Sequence, residues 1–289
     1  MLVLKFGGSS VANATRMSGV LDIVESRAAT DRVILISSAI AGCTDTLLSR
    51  DPEAIERLHD SHRAIISRLF TSDDRAEAEK ECDSLFDRIL EFPETVESFG
   101  EILSTRILFR KLELEGYACT WLDSRELVVK DNPKLSRSNI AAAVAAHPQT
   151  RIFVAPGFIA SDGSGNTVTL GRGGSDYSAA LFAAGCGASR IEIWTDVPGI
   201  MTTNPKDVPS ARTIPTISYR AALDLARFGA KVLYAPTITP VREAGIPFSI
   251  LNTFDPANPG TIVCNLSGDP NAEWKGVSLL SDEAADKSE

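Results

Sequence analysis

The 289-residue sequence predicts an α/β fold in which helices cover both faces of a mainly parallel sheet. Short β-branched segments alternate with longer helical patterns along the chain, as in proteins built from strand–helix–strand units. Several of the short segments are apolar nearly throughout, which is typical of strands that are buried on both faces. Together these observations indicate a parallel sheet enclosed by helices.

The expected strands and helices follow one another from the N-terminus. Strands are expected at 2–6, 32–37, 151–156, 167–170, 190–197 and 247–251. Helices are expected at 14–28, 54–70, 75–92, 96–116, 139–146, 175–184, 221–228 and 236–244. The stretch 52–116 is almost entirely helical and rich in charge, which indicates a helical insertion packed on the edge of the sheet rather than an independent domain. The final residues, SDEAADKSE, are acidic, small and polar, so disorder is expected there.

Composition excludes several classes of protein. A net charge of −9 argues against binding to nucleic acids or anionic membranes, because both partners attract basic surfaces. No apolar run approaches the roughly 18 residues of a membrane span, and no signal peptide precedes the first strand, so we expect a cytoplasmic protein. His59, His62 and His147 lie in or beside polar helical segments and are expected at the surface. The scattered cysteines show no metal-binding spacing and are interpreted as reduced thiols: Cys43, Cys82, Cys119, Cys186 and Cys264.

Ligands of open parallel sheets bind at the carboxyl ends of the strands, so the turns that follow the strands are informative. The first such turn lies in KFGGSSV, where Gly7 and Gly8 allow the backbone to approach a ligand closely. Lys5 adds a positive charge at the same strand end. The pattern matches neither a P-loop nor a dinucleotide fingerprint. Taken alone, it fits a phosphate-binding turn and a simple bend with a surface lysine equally well.

Two further turns are ambiguous on their own. SSAIAGCTD, at 37–45, carries small hydroxyl residues that suit a polar ligand, but Thr44 or Asp45 as a helix N-cap explains it at least as well. In IWTDVPGIMTTNPK, at 193–206, Asp196 either initiates a turn or contacts a ribose or a phosphate–metal group. Lys231, in FGAKVL, is either a solvated lysine or a second positive charge in the same crevice.

The segment TLGRGGSDYSAALFAAGCG, at 169–187, is more specific. Ser175 and Asp176 as helix caps explain the start of the apolar helix, but they do not explain Arg172 among three glycines. A guanidinium held at a helix N-terminus is suited to a carboxylate or a phosphate. We therefore favour an anion-binding role for this turn.

Several motifs occur together in the order that is seen in aspartate kinases: KFGGSSV, GEILSTRIL, GRGGSDYSA, TDVPGI and FGAKVL. The chain thus resembles the catalytic domain of an aspartate kinase, within the broader amino acid kinase family, over residues 2–264. The resemblance implies a three-layer α/β/α sandwich within a catalytic domain at 1–265. It further implies an aspartate-binding lobe at about 1–165, an ATP-binding lobe at about 166–265 and a linker-like tail at 266–289.

The resemblance implies ATP-dependent phosphorylation of the β-carboxylate of L-aspartate, the first step toward lysine, threonine and methionine. Carried over by position, Arg172 would hold the α-carboxylate of aspartate and Glu101 its ammonium. The full set implied for aspartate is Ser38, Thr44, Glu101, Arg172, Gly173, Gly174 and Ser175. The set implied for ATP is Lys5, Gly7, Gly8, Ser9, Thr195, Asp196, Met201, Lys206, Lys231 and Val232.

The residues implied in catalysis are Lys5, Asp176 and Lys231. The acceptor carboxylate is ionised at pH 7, so Asp176 is expected to position the lysines rather than to act as a general base. Mg²⁺ is expected to bind through the ATP phosphates and water, without a direct protein ligand.

Two residues depart from the family pattern. Met201 stands where a tyrosine is common near the adenine, and Lys206 stands where an arginine is common, which loses a bidentate fork. The sequence also ends after WKGVS, where aspartate kinases usually continue into regulatory ACT domains. We therefore expect no lysine or threonine feedback site and a weakened homodimer. The alternatives are another amino acid kinase activity, on acetylglutamate, glutamate, carbamate or uridylate, and a non-catalytic binder of nucleotide or amino acid.

Overall fold

A computed structural model describes residues 1–91, 93–203, 208–227 and 234–266, and the fold is α/β as predicted. The strands are β1 (Leu2–Phe6), β2 (Val33–Ser37), β3 (Cys119–Trp121), β4 (Ile152–Pro156), β5 (Ile159–Ser161), β6 (Thr167–Thr169), β7 (Arg190–Thr195), β8 (Thr216–Ser218), β9 (Phe248–Asn252) and β10 (Thr261–Cys264). The helices are α1 (Ala14–Ala28), α2 (Cys43–Ser49), α3 (Pro52–Leu69), α4 (Ser72–Glu91), α5 (Phe99–Leu114), α6 (Ser124–Leu127), α7 (Pro133–Ala146), α8 (Gly174–Cys186), α9 (Tyr219–Arg227) and α10 (Ala235–Glu243). Two 3-10 segments lie at Gly8–Val11 and Pro93–Ser98.

The described residues form an eight-stranded sheet in the order β3-β4-β2-β1-β7-β9-β10-β8. Its neighbours are parallel except for β9 and β10, which run antiparallel. β1 lies in the middle, with Leu4 opposite Leu35 of β2 on one side and Glu192 of β7 on the other. β5 and β6 form a separate antiparallel hairpin. The carboxyl ends of β1, β2, β4 and β7 therefore meet at one edge, where the predicted turns after β1, β2 and β7 begin, whereas the glycine turn before α8 follows β6 of the hairpin.

Hydrophobic layers cover both faces of the sheet, because alternate residues of each strand point to opposite sides. Leu4 and Phe6 pack in a core with α1, α3, α4 and α5. Val3 and Ile193 pack in a second core with α7, α8, α9 and α10. Burial of each such side chain contributes roughly 2 kcal/mol, so both layers stabilise the sheet. This is the expected three-layer sandwich.

The helical stretch after α2 shares its core with the sheet. α3 and α4 pack against each other, α4 packs on α5, and α5 covers β3 and β4 at the edge of the sheet. This confirms the prediction of an insertion at the sheet edge. The predicted helix at 96–116 begins at Phe99, after a 3-10 segment. The predicted helix at 139–146 begins earlier, at Pro133, because the side chain of Asn132 accepts a hydrogen bond from the Leu135 N–H.

The prediction that His62 lies at the surface is wrong. The side chain is fully buried between α3 and α4, with Nδ1 donating to the Leu58 carbonyl at 2.8 Å and the ring edge facing Phe86. Burial lowers the pKa of His62 from 6.5 to about 4. His59 is half-buried and bonded to Asp83, while His147 is exposed as expected.

All five cysteines are free, which agrees with reduced thiols. In the part of the chain that the structure describes, no helix has the length and apolar character needed to span a bilayer. The predicted tail at 266–289 lies, apart from Leu266, outside the described residues.

Candidate active site

A cavity of about 480 Å³ opens at the carboxyl edge of the sheet, beside β1 and β2 and the first turns of α2, α5 and α8. It brings together these residues singled out from the sequence: Lys5, Ser38, Thr44, Glu101, Arg172, Gly173, Gly174, Ser175 and Asp176. Residues separated by up to 171 positions in the chain therefore border one space. The remaining lining residues are Ala39, Ile40, Ala41, Gly42, Asp45, Phe158 and Gly171.

Lys5 and Asp176 form an ion pair at the cavity wall. Strand alternation turns Lys5 toward the face that α8 covers, and Asp176 lies in the first turn of α8. Lys5 Nζ lies 2.7 Å from Asp176 Oδ1, with side-chain exposures of 11% and 19%. Oδ1 accepts no hydrogen bond of ordinary geometry from any described residue, so the contact is an ion pair without a directed bond. The helix N-terminus adds a partial positive charge beside the carboxylate.

Glu101 is a buried carboxylate at the start of α5. The residue is 4% exposed, and its Oε2 has no hydrogen-bond partner among the described residues. Burial raises the pKa of Glu101 from its ordinary value of 4.5 to about 8, and a hydrogen bond from the Ala39 N–H offsets part of this rise. An unpartnered buried oxygen that borders a cavity favours a cationic group as its partner.

The segment at 38–42 is held between the turn that follows β1, at 7–9, and helix α5. The Ala41 N–H donates to the Gly8 carbonyl at 3.2 Å, and Ser104 Oγ donates to the Ser38 carbonyl at 2.8 Å. A Cβ at Gly8 would lie 2.7 Å from the Ala39 oxygen, and a Cβ at Gly100 would lie 2.7 Å from the Ala39 Cβ. Glycine is therefore required at both positions for the close approach that brings Glu101 to the cavity.

Arg172 lies in a glycine turn before α8. Gly171 and Gly173 have φ values of +73° and +70°, a conformation that glycine adopts without strain. A Cβ at Gly173 would also meet the ring of Tyr234, at 2.2 Å from Cγ. Arg172 is exposed at the cavity and has no ion-pair partner among the residues that the structure describes. Its guanidinium is available to an anion.

Five further residues of the predicted nucleotide set lie at the same sheet edge but outside the cavity lining: Gly7, Gly8, Ser9, Thr195 and Asp196. The Gly7 N–H donates to the Trp194 carbonyl at 3.2 Å, while those of Gly8 and Ser9 have no acceptor within the described ranges. Beside this turn, Thr195 Oγ1 donates to Asp196 Oδ1 at 3.2 Å at the end of β7.

The predicted adenine contact and the remaining nucleotide residues lie farther along the chain. Met201 pairs across an isolated bridge with Thr213, whose hydroxyl donates to Met201 Sδ at 3.5 Å. Lys206, Lys231 and Val232 lie outside the described residues.

Thr44 and Asp45 do not cap α2, so that interpretation is wrong. The helix begins at Cys43, and the capping position is Gly42 in the left-handed conformation. Thr44 and Asp45 therefore lie in the first turn of α2, where both border the cavity.

Phe158 was missed, and its residue type gives no signal. Its position just after β4, at the carboxyl edge of the sheet, is the clue that could have found it. It has a φ of +65° and is held by hydrogen bonds to Ser178 and Leu170.

No group of three or more His, Cys, Asp or Glu side chains suited to a metal ion is found in the described part of the chain.

Comparison with known proteins places this site in a family. The chain is 36% identical to lysine-sensitive aspartokinase 3 of Escherichia coli, over 93% of this chain and 65% of that protein. It is 35% identical to an aspartokinase of Chlamydia pneumoniae, over 91% of this chain and 62% of that protein. The crystal structure of E. coli aspartokinase III in complex with aspartate and ADP matches with a TM-score of 0.85 and 32% identity, over 93% of this chain and 66% of that one.

This chain spans a little under two thirds of the length of these relatives. Residues 1–252 match the sequence model of the amino acid kinase family, which covers most of the sheet and the whole cavity lining. The chain belongs to the amino acid kinase family.

Proposed function

We propose that this chain transfers the γ-phosphoryl group of ATP to the β-carboxylate of L-aspartate, giving 4-phospho-L-aspartate. Glu101 carries the proposal, because its buried and unpartnered oxygen borders the same cavity as Arg172 and Lys5. A ligand with one ammonium and two carboxylates complements these three charges. The similarity to aspartokinases, one of them solved with aspartate and ADP, supports the same substrate pair.

In this proposal, the first turn of α5 and the glycine turn before α8 orient the amino acid. Glu101 pairs with the ammonium, and Arg172 holds the α-carboxylate with its planar fork. Ser38, Thr44, Gly173, Gly174 and Ser175 border the remaining side of the substrate. The β-carboxylate then points toward Lys5 and the N-terminus of α8, where positive charge is concentrated.

The chemistry needs positioning and charge neutralisation more than proton transfer. The β-carboxylate of aspartate has an ordinary pKa of about 4, so it is ionised at pH 7 and attacks without a general base. Asp176 is already paired with Lys5 at 2.7 Å, so we assign it the role of orienting that lysine. Lys5 and the N–H groups of Gly8 and Ser9 offset the negative charge of the phosphates in the transition state.

Other contacts to ATP are proposed on the resemblance alone. They are Gly7, Thr195, Asp196, Met201, Lys206, Lys231 and Val232. Lys231 would add a second positive charge to the transferring phosphoryl group. We also propose the division into lobes at 1–165 and 166–265, a cytoplasmic location and a homodimer.

The residues at the cavity fit a Mg²⁺ ion that arrives with ATP. In such sites Mg²⁺ keeps several waters and binds substrate phosphates with few carboxylates, and Asp176 is a carboxylate that borders the cavity. Mg²⁺ would supply charge neutralisation on the phosphate oxygens. Asp176 would accept hydrogen bonds from the waters bound to Mg²⁺ while remaining paired with Lys5.

Trapping of the acyl phosphate with hydroxylamine tests the proposal. With ATP and Mg²⁺, we expect hydroxamate from L-aspartate and none from glutamate or N-acetylglutamate, which lacks the ammonium. Arg172→Ala should abolish the signal, while Arg68→Ala, an exposed arginine on α3, should leave it unchanged. Hydroxamate from N-acetylglutamate would favour another activity of the family. ATP binding without any hydroxamate would favour a non-catalytic binder.

A further inference from the structure

Glu192 is a buried carboxylate that the proposed chemistry does not use. It lies in the middle of β7, 3% exposed, on the face of the sheet that α1 covers. Arg27 Nε donates to its two oxygens at 3.0 and 3.1 Å, and Arg190 Nη2 donates to Oε1 at 3.0 Å. Trp194 Nε1 donates to Oε2 at 3.2 Å. Both oxygens are therefore occupied by donors from α1 and β7.

A buried ionic network of this kind is not needed for the stability of the core. Apolar residues of similar volume stabilise a core about as well as a buried carboxylate with two arginines, because the charges lose their hydration. What the network does provide is direction, since the indole N–H of Trp194 is bonded to one defined oxygen, Oε2. Glu192 thereby fixes the plane of the Trp194 indole.

Trp194 contacts the end of β1 and the turn at 7–9 in two ways. Its fully buried ring stacks on that of Phe6, with centroids 5.9 Å apart and planes at 10°. Its backbone carbonyl accepts the hydrogen bond of the Gly7 N–H at 3.2 Å. Phe6 and Gly7 directly precede Gly8 and Ser9, whose N–H groups have no acceptor among the described residues. A shift of the indole would therefore displace the backbone at the point where the chain leaves β1 and enters the turn.

α1 connects the same two places by a second route. Arg27 lies in its last turn and binds Glu192, and the guanidinium lies over the Trp194 ring at 5.8 Å. Arg16 lies in its first turn, and its Nη1 donates to the Ser9 carbonyl at 2.8 Å. A 15-residue helix thus holds the turn at one end and Glu192 at the other.

We propose that Glu192 is a positioning residue for the turn at 7–9, acting through the Trp194 indole and α1. It holds the turn in the conformation that receives the phosphates of the nucleotide. This inference rests on the proposed function in one respect, that the ligand of the turn is ATP.

Steady-state kinetics of hydroxamate formation, with ATP and aspartate varied separately, test this role. Glu192→Ala should raise KM for ATP by about tenfold, the order expected when a binding group shifts by a fraction of an ångström. KM for aspartate should stay within about twofold, because Glu101 and Arg172 are held by other elements. Glu192→Gln keeps an acceptor for the indole and should show a smaller rise. Arg190→Gln is the matched control, since Arg190 contacts the carboxylate but neither the turn nor the Trp194 ring.

A double-mutant cycle tests whether the effect runs through the indole. Trp194→Phe keeps a ring on Phe6 and removes the N–H donor, so it should raise KM for ATP by itself. In that background Glu192→Gln should add less than about twofold. Full additivity of the two changes would overturn the proposal. If Glu192→Ala does not fold, Glu192→Gln and Trp194→Phe carry the same comparison.

A purely structural role gives a different pattern. Glu192→Gln would then lower Tm and leave both KM values unchanged at temperatures well below Tm, which would overturn the inference while the proposed function stands. A wild-type chain that forms no hydroxamate but binds ATP allows the same comparison with Kd in place of KM. A wild-type chain that binds no ATP would refute the proposed function and this inference together.

Discussion

Replacement of Glu101 by glutamine removes a buried carboxyl group that can ionise and preserves the shape of the side chain. In the folded chain the pKa of Glu101 is raised from 4.5 to about 8 by burial. Between these two pH values the folded state binds more protons at this site than the unfolded state, so the free energy of unfolding falls as the pH rises. One pKa unit corresponds to about 1.4 kcal/mol, so the buried carboxyl costs about 1 kcal/mol at pH 5, about 3 kcal/mol at pH 7 and about 5 kcal/mol at pH 9.

Glu101→Gln should therefore make the protein more stable by about 3 kcal/mol at pH 7, and by less at pH 5. Urea unfolding of both proteins from pH 5 to pH 9 measures this difference, with Glu56→Gln on the exposed side of α3 as the control. A difference that does not change with pH, or a variant that is less stable than the wild type at pH 8, would refute the reasoning.

The same substitution should impair substrate binding. Loss of one partner of a buried charge pair costs at least about 2 kcal/mol, so KM for aspartate should rise by about 30-fold or more. In the wild type, KM for aspartate should fall as the pH rises from 6 to 8, because the ammonium binds the ionised form of Glu101. Initial rates across this range check the sign, and a KM that rises with pH would contradict the pairing. More stable protein with poorer binding is the expected signature of a strained functional group.

Three further substitutions address other parts of the cavity. Lys5→Ala should lower kcat by about 100-fold or more and change KM for aspartate little, since the lysine acts on the phosphoryl group. A kcat near the wild-type value would show that Lys5 takes no part in the reaction. Arg172→Lys keeps the charge and loses the bidentate fork, so KM for aspartate should rise by about tenfold, and unchanged initial rates would contradict this assignment. Gly173→Ala places a Cβ against the Tyr234 ring at a φ of +70°. Thermal unfolding should show that the free energy of unfolding falls by about 2 kcal/mol. A Tm equal to that of the wild type would show that the turn relaxes without strain.

The local pattern of apolar and polar residues was sufficient to predict the long helices and strands of the fold. β1 and α1 have the predicted bounds, because Leu2–Phe6 is buried throughout and Asn13 caps the helix. Four strands of three or four residues were missed, because so few positions seldom show a period: β3, β5, β8 and β10. His62 was misplaced although its spacing from Ile65 and Ile66 puts it on the apolar face of α3, a signal that polarity alone concealed.

The cavity was predictable to different degrees. Arg172 was found from its flanking glycines, because such a turn has no other local explanation. Glu101 was found by resemblance alone, since an acidic residue in the first turn of a helix is ordinary. Its burial arises from the close approach of Gly100 to Ala39, a tertiary contact that no local pattern encodes. Phe158 borders the cavity through the path of the chain after β4, so its place after a predicted strand, and not its residue type, is the signal in the sequence.

The clamped segment at 38–42 limits which sequences can perform this chemistry. Ala39 is enclosed by Gly8 on one side and Gly100 on the other, with no room for a Cβ on either glycine. Gly100 therefore restricts the side-chain size at position 39, because its added Cβ would meet the Ala39 Cβ, and Gly8 restricts the path of the backbone there, because its added Cβ would meet the Ala39 carbonyl oxygen. A library randomised at positions 8, 39 and 100 and selected for growth should keep glycine at position 8 and return small residues as correlated pairs at positions 39 and 100. Engineering of a larger amino acid substrate would have to begin elsewhere, at the exposed rim of the cavity near Asp45.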